Sequence, residues 1–493
     1  MRRTRRGQAT GVAAVVAALC VVAALPGQAW GAPVDGAGDV PGYGTAEDAK
    51  TIKGAASSGD GPEIKTGIYS DSIGRGEKKY YSVSLDAKSS AFLSAVAAPE
   101  PGSKVQNIGE GLKLTLESVD GDACSGANKS DFSSDGTAYP IADYATRIIG
   151  AEDECQKAGP YLFSVEREGS ATSDPGRWQL EIRYMSEPGV KGSLPSAPVD
   201  NGVDDEPPAP VSGSAKKRAQ GGTGFNDAGA LSNGVWKDRI RPGGTRFYRV
   251  PVDWGQRLNA AVELGSAKSP GESPQTVYNG LGMTTYNPAR GRFDSDNFVQ
   301  YAPDQSAQAV AYTPVVDYGN RFAAEGDDAS AAGWYYLAVT VSPKAAEYFK
   351  GTAPLTLRID VKGKAKPGPK YDGDAAAAGF GVSTEDKEQA ENGETAAEAE
   401  RGDTLELVAY AGIGAGVVLI LALGLWTLTA RRRAGAGAPV PGPSAGPLQG
   451  TGPQPAGGQG QSGTVPLRPQ QQGQGQGQSQ GQGYGQAPPH NWQ

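Results

Sequence analysis

Gly76-Glu77-Lys78-Lys79-Tyr80-Tyr81-Ser82-Val83-Ser84-Leu85 and Gly243-Gly244-Thr245-Arg246-Phe247-Tyr248-Arg249-Val250-Pro251-Val252 are two forms of one pattern: a glycine, a polar turn, then alternation. Tyr81, Val83 and Leu85 alternate with Ser82, Ser84 and Asp86, as Tyr248, Val250 and Val252 do with their neighbours. Successive strand residues point to opposite faces, so a period of two means one buried face and one wet face. That is the mark of antiparallel sheets.

The pattern extends outward as a repeat. At the same shift of 167, Gly67 to Ile73 corresponds to Gly234 to Ile240. At a shift of 174, Asp143-Tyr144-Ala145-Thr146-Arg147 meets Asp317-Tyr318-Gly319-Asn320-Arg321, and Gly159 to Val165 meets Gly333 to Val339. Leu180-Glu181-Ile182-Arg183 pairs with Leu357-Arg358-Ile359-Asp360. Leu112, Leu114 and Leu116 add another alternating run, and turn-formers such as Asp120-Gly121-Asp122 and Pro242-Gly243-Gly244 separate the runs. The reading is mainly β: two tandem antiparallel β-sandwich, jelly-roll-like domains at 45–188 and 222–364, each large enough for its own core.

Flanking segments set the topology. Leu407 to Ala430 is an uncharged, largely apolar run of 24 residues. At about 1.5 Å per helical residue it reaches roughly 36 Å, enough to cross a hydrocarbon core of about 30 Å. Arg431, Arg432 and Arg433 mark its far side as cytoplasmic. At the N-terminus, Arg2, Arg3, Arg5 and Arg6 precede an apolar run from Val12 to Leu25 and small residues near Ala29 and Gly31, the layout of a signal peptide over 1–31 with cleavage near 27–32. The expectation is a type I protein of the plasma membrane, with its N-terminal domains extracellular. In that oxidising setting Cys124 and Cys155 read as a disulfide, which would contribute roughly 3–4 kcal/mol by closing a loop of about 30 residues. Two free thiols or half of a metal site are the rival readings, and no histidine outside the tail completes such a site. Cys20 lies within the signal peptide and lacks the preceding small residue of a lipidation site.

Between the signal peptide and the span lie 38 basic and all 54 acidic residues, a net charge of about −16. Such a surface repels nucleic acid and anionic lipid. Residues 189–221 read as a Pro-rich linker (Pro195, Pro198, Pro207, Pro208, Pro210). Residues 365–406 read as an acidic stalk, helical in part, with no apolar face to pack. The tail, 431–493, is rich in Gly, Gln and Pro and reads as disordered.

Catalysis has little to work with. The single histidine, His490, lies in the tail, which removes His-based triads and the usual zinc sites from the exterior. The repeated Asp143, Tyr144, Arg147 and Asp317, Tyr318, Arg321 read as structural, an Asp–Arg pair pinning a loop; the competing reading makes each a small ligand site. No cofactor is expected. Calcium is the one metal with candidate ligands, at Asp120 and Asp122, Asp294 and Asp296, and Asp327 and Asp328, without EF-hand spacing. Gly412 and Gly416 form a small-xxx-small pair that would allow a homodimer of spans. In the tail, Pro466-Leu467-Arg468-Pro469 is a candidate polyproline contact for a cytoplasmic protein, and Thr451 and Thr464 are candidate phosphorylation sites.

The glycine-led aromatic strands at Gly76 to Leu85 and Gly243 to Val252, the later Gly159 to Val165 and Gly333 to Val339, and the closing Leu180-Glu181-Ile182 and Leu357-Arg358-Ile359 resemble the bacterial pre-peptidase C-terminal-like domain. That family is a secreted β-sandwich often appended to extracellular enzymes. The resemblance covers about 290 residues in two pieces. Leu112 to Glu117 and Leu281 to Tyr286 lack the family's aspartate-leucine alternation, which weakens any calcium site carried over. The Ala- and Gly-rich composition resembles that of actinobacterial envelope proteins. The resemblance implies binding or spacing without a reaction. The functional expectation is a non-catalytic envelope protein whose sandwiches meet an envelope protein or polymer. The alternative is a surface hydrolase using paired carboxylates on envelope glycan.

Overall fold

The computed structural model describes residues 40–399, apart from 107–108, 127, 133–136, 151–154, 199–208, 216, 270, 272–274, 294–296 and 324–325, and then 416, 418–429, 431 and 432. The signal peptide, Gly412, Arg433 and the tail beyond it lie outside the described residues, as do Asp294 and Asp296.

The first repeat contains β1 (Lys50–Thr51), β2 (Glu63–Ile64), β3 (Gly67–Ile73), β4 (Lys78–Leu85) and β5 (Ser90–Ala98). It continues with β6 (Gly111–Ser118), β7 (Asn128–Asp131), β8 (Ile141–Arg147), β9 (Gly159–Glu168) and β10 (Trp178–Glu187). The second begins with β11 (Lys217–Arg218), β12 (Gly229–Ala230), β13 (Gly234–Ile240), β14 (Thr245–Val252) and β15 (Arg257–Leu264). It ends with β16 (Val277–Tyr286), β17 (Asn297–Tyr301), β18 (Ala307–Tyr312), β19 (Gly333–Val341) and β20 (Ala353–Lys362). Each repeat forms two five-stranded sheets, ordered β1-β3-β10-β5-β8 and β2-β4-β9-β6-β7 in the first. The second repeats both orders with every label raised by ten. Pairing is antiparallel except at the two-residue edge strands, which run parallel to β3, β4, β13 and β14.

The chain is therefore mainly β, in two sandwiches. Their inner faces carry the alternating apolar residues: Tyr81, Val83, Leu114, Phe163 and Ile182 in one core, and Tyr248, Val250, Val262, Leu337 and Leu357 in the other. Each fully buried side chain of this size contributes about 1.5–3 kcal/mol relative to exposure.

A polar anchor recurs in both copies. Asp71 Oδ2 accepts from the Gly54 N–H (2.8 Å) and the Tyr81 hydroxyl (2.9 Å). Asp238 Oδ2 accepts from the Gly221 N–H (2.8 Å) and the Tyr248 hydroxyl (2.7 Å). A Cβ on Gly54 would lie 2.6 Å from the Tyr81 ring, and one on Gly221 2.8 Å from Tyr248, so both positions exclude any side chain.

Register corrects two of the repeat pairings. Ile182 lies opposite Tyr69, while Leu357 lies opposite Trp236, the counterpart of Tyr69. Ile182 thus corresponds to Leu357 rather than to Ile359. A slip of two residues keeps every side chain on its face, so alternation cannot detect it. The Asp143 block lies on β8, whose counterpart is β18, whereas the Asp317 block lies on a 3₁₀ turn at Tyr318–Phe322. Those two blocks are not structurally equivalent.

The sandwiches pack against each other. The outer face of β10, β5 and β8 meets the outer face of β14, β19 and β16, through Phe92, Val96, Ala142, Tyr144 and Met185 on one side and Phe247, Tyr286, Tyr336 and Ala338 on the other. This is why β5 is buried at every residue.

The expected free stalk is also corrected in its described part. Tyr371 bridges to Val190, and Phe380 is buried against Phe92 at 5.1 Å between ring centroids. The helix α1 (Thr384–Asn392) is closed by a capping box of Ser383 and Asp386 and ends at Gly393, with φ of 75°. It is fastened by Trp334 Nε1 to Asp386 Oδ1 (2.8 Å) and Arg249 Nη2 to Gln389 Oε1 (2.9 Å). Its acidic Glu385 and Glu388 stay in solvent while Ala390 is buried. The segment packs through isolated aromatic and polar contacts, not through the apolar stripe that sequence reading looks for.

Among the described residues no helix is long and apolar enough to cross a membrane. Residues 418–429 are helical with exposed apolar side chains, Leu419, Ile420, Leu425 and Trp426 among them, and Arg431 and Arg432 are helical as well. The rest of the 407–430 run lies outside the described residues.

Candidate functional site

Two surfaces concentrate the polar chemistry: the seam between the sandwiches, and the outer face of the second sandwich that corresponds to the seam face of the first.

On β10 the outward residues Glu181 and Glu187 alternate with the core-facing Ile182 and Tyr184, so strand geometry directs them into the seam. Glu181 pairs with Arg290 at 2.5 Å, with both side chains fully buried. It also accepts from the Tyr43 hydroxyl (2.9 Å), the Ala46 N–H (2.8 Å) and Asn226 Nδ2 (2.8 Å). Arg290 completes the ring by donating to Asn226 Oδ1 at 2.8 Å. Burial alone would raise the carboxyl pKa of Glu181, but the Arg290 charge and these hydrogen bonds outweigh it and hold it below the usual range. The same contacts push the Tyr43 phenol well up, burial first and the Glu181 charge second.

Glu187 forms the second staple. Arg321 reaches it through both terminal nitrogens (2.6 and 3.1 Å), and the Tyr371 hydroxyl donates to it at 2.7 Å. The Arg321 guanidinium lies over the Tyr318 ring at 3.5 Å. Removing one partner from such a buried pair leaves an uncompensated charge.

The repeated triads are placed differently from expectation. Asp317 caps its 3₁₀ turn by accepting from the Gly319 N–H (2.8 Å), and Arg321 leaves it for Glu187. Asp143 Oδ1 accepts from the Tyr144 N–H (2.9 Å) and, across the seam, the Arg292 N–H (3.3 Å). The Tyr144 hydroxyl donates to Asp328 Oδ1 at 2.9 Å, and Arg147 donates to the Asp86 carbonyl. No Asp–Arg pair forms within either block. On a strand, residues four apart are separated by roughly 13 Å, out of reach. Burial pushes the Asp143 carboxyl up to about 6.

Cys124 and Cys155 are joined as a disulfide, 31 residues apart. Asp120 and Asp122 are organised by Ser118, whose hydroxyl accepts from both backbone N–H groups at 3.2 Å. Among the described residues no group of three or more acidic, cysteine or histidine side chains is arranged to hold a metal.

The second surface is the outer face of β18, β15, β20 and β13. Register places Tyr312, Asn259 and Asp360 side by side in one row, and Val310, Ala261 and Arg358 in the next. Arg358 pairs with Glu263 at 3.3 Å and donates through Nη1 to the carbonyls of Val211 and Gly213, both at 3.0 Å. Pro210 and Val211 thereby become one wall of a shallow groove with room for about one water molecule. Asn259 lies beside it, 6% exposed, and among the described residues neither its Oδ1 nor its Nδ2 has a hydrogen-bond partner.

Sequence reading missed Glu181, Glu187, Arg290, Asn226 and Asn259. The one available signal was Glu181, Arg183 and Glu187 on the wet side of an alternating strand, which does not say what faces them.

No known protein family and no curated protein sequence matches this chain. Among solved structures, it is similar to the tandem CBM22-1–CBM22-2 domains of Xyn10C from Paenibacillus barcinonensis. There the identity is 13%, the coverage is 65% of this chain and 100% of that one, and the TM-score is 0.18. The ANX1 ectodomain from Arabidopsis thaliana follows at 11% identity, covering 62% and 85%, with a TM-score of 0.17. A Burkholderia cenocepacia protein matches at 10% identity, covering 58% and 76%, with a TM-score of 0.15.

Proposed function

We propose that this is a non-catalytic, single-pass membrane protein of the cell envelope, with an exterior of two jelly-roll sandwiches docked into one body that binds or scaffolds an envelope partner. The observation that carries the reading is the division of labour between matching faces. The first sandwich spends its outer sheet face on docking the second, with Glu181 and Glu187 committed to arginines, while the corresponding face of the second is open. A docked pair presents its open surface in a fixed orientation, as a binding or spacing module requires.

The membrane part of the reading rests on the apolar run Leu407 to Ala430 with its three following arginines, and on the exposed leucines and Trp426 of residues 418–429. Thr427 and Thr429 return their hydroxyls to carbonyls of the preceding turn, which removes two polar groups from the helix surface. The resemblance to pre-peptidase C-terminal-like domains is part of the same proposal, as are the extracellular placement of the sandwiches and a cytoplasmic partner for the tail. Affinity capture of the full-length protein from native membranes, beside versions lacking 40–399 or 434–493, tests it. A partner lost only without 40–399 supports an exterior adaptor. A partner set identical for all three versions would sink the proposal.

A further inference from the structure

We propose that the lysine tract leaving β20, Lys362 to Lys370, is a docking strip for a flexible polyanion without bases, a polymer of phosphodiester-linked units. The inference rests on the reading of the exterior as a binding body and names the chemistry of its partner. Residues 361–371 hold four lysines and no acid, within an otherwise strongly acidic exterior. Lys364, Lys366 and Lys370 are exposed. The acids around them are taken by other lysines: Asp360 by Lys362 (3.3 Å), Asp372 by Lys191 (3.4 Å) and Asp253 by Lys387 (3.2 Å). Among the described residues this leaves Lys364, Lys366 and Lys370 with no ion pair.

The tract is held in place along its length. Lys362 lies opposite Arg257 in the sheet, the Lys366 N–H donates to the Trp254 carbonyl (2.8 Å), and the Lys370 carbonyl accepts from the Lys191 N–H (2.7 Å). At Gly255, with φ of 74°, a Cβ would lie 2.7 Å from the Lys366 side-chain carbons, so the stem of that lysine rests on the turn. Pro367 and Pro369 fix their own φ and bias the residues before them toward extended backbone. At roughly 3.1 Å per extended residue, Lys362 to Lys370 spans about 25 Å, against a screening length of about 8 Å at physiological salt. Acids elsewhere on the exterior are therefore screened from a chain lying along the strip.

The composition of the strip selects the partner. Its cations are all lysines, point charges without the planar fork of arginine, which suits recognition by charge density rather than by one fixed geometry. No aromatic residue lies between Val361 and Lys370, and Gly368 covers the Trp254 indole, so the strip gives bases nothing to stack on. Nor does it carry a leucine, phenylalanine or tryptophan to enter a lipid layer. A planar anionic surface would meet the acidic body as well as the strip, whereas a thin polymer meets the strip alone.

The test uses the full-length protein in phosphatidylcholine nanodiscs, titrated with a fluorescent abasic deoxyribose-phosphate oligomer over a range of salt concentrations. The combined variant Lys364→Gln, Lys366→Gln, Lys370→Gln should lower the log–log salt slope by about 2, at roughly 0.7 per neutralised phosphate. A fourfold rise in salt then weakens the native protein about twentyfold more than the variant. Arginine at the same three positions should restore the slope. Should the combined variant be destabilised, Lys364→Gln alone should lower the slope by about 0.7. Absence of binding at about 50 mM salt, or a slope that the glutamine changes leave unaltered, overturns the proposal. So does binding to phosphatidylglycerol vesicles without binding to the oligomer, which would assign the lysines to a membrane surface. Each of these failures leaves capture of a partner through 40–399 untouched, so loss of the polyanion strip and loss of the adaptor reading are distinguishable.

Discussion

The two sandwiches share one strand order, yet matching faces have opposite fates. By register, Phe92, Val96 and Tyr144 on the docked face of the first correspond to Asn259, Glu263 and Val310 on the open face of the second. Likewise Glu181, Met185 and Glu187 correspond to Thr356, Asp360 and Lys362. Inner-face residues stay apolar in both, because every sandwich needs its core. The outer face is free to vary, and the replacement of Phe92, Val96 and Met185 by Asn259, Glu263 and Asp360 separates a docked sheet from a wet one. On β10 the buried acids Glu181 and Glu187 each meet an arginine of the partner sandwich, since an unpaired buried carboxylate is strongly disfavoured.

The largest expected effect comes from breaking a staple. Arg290→Ala leaves Glu181 buried without its charge partner and should destabilise the exterior by about 3–5 kcal/mol. The matched change on the open face, Glu263→Ala, removes a partly exposed partner of Arg358 and should cost about 0–1 kcal/mol. Denaturant unfolding of both variants measures the contrast, and equal effects would break the comparison.

Next comes the segment that crosses the seam. Phe380 is 1% exposed, and Phe380→Ala should cost about 3 kcal/mol. Limited proteolysis should then cut within 371–399 before either sandwich. Unchanged protection there would mean that the segment is held by its polar contacts alone.

A smaller effect is pH-dependent. Asp143 at the seam has a folded pKa of about 6, above its unfolded value, so the folded state binds the extra proton. Its contribution is fully present below about pH 4, declines as pH rises to about 6, and is constant above, a total of no more than about 3 kcal/mol. Glu181 has the opposite sign: its pKa is lowered, so its stabilisation is present above the unfolded carboxylate range and is lost in acid. Asp143→Asn should flatten the slope between pH 4 and 6, and a melting series that retains the slope would assign it to another group.

The alternation around Tyr81 and Tyr248, the duplication and the Cys124–Cys155 pair were legible because each depends on local spacing and on the side-chain period of a strand. Even so, alternation left the Leu180 register two residues out, and the Asp143 and Asp317 blocks matched by composition while occupying a strand and a turn. The segment beyond Tyr371 was legible as acidic and partly helical, but not as docked. Its hold on the fold comes from Phe380 and single hydrogen bonds whose partners lie far away in sequence. For the candidate sites, the sequence by itself offered only the alternation of Leu180-Glu181-Ile182-Arg183, which puts Glu181 on the wet side of a strand. Only the tertiary structure decided that Glu181 and Glu187 meet arginines. Which face becomes an interface depends on complementarity between surfaces more than 100 residues apart, and no local pattern encodes that.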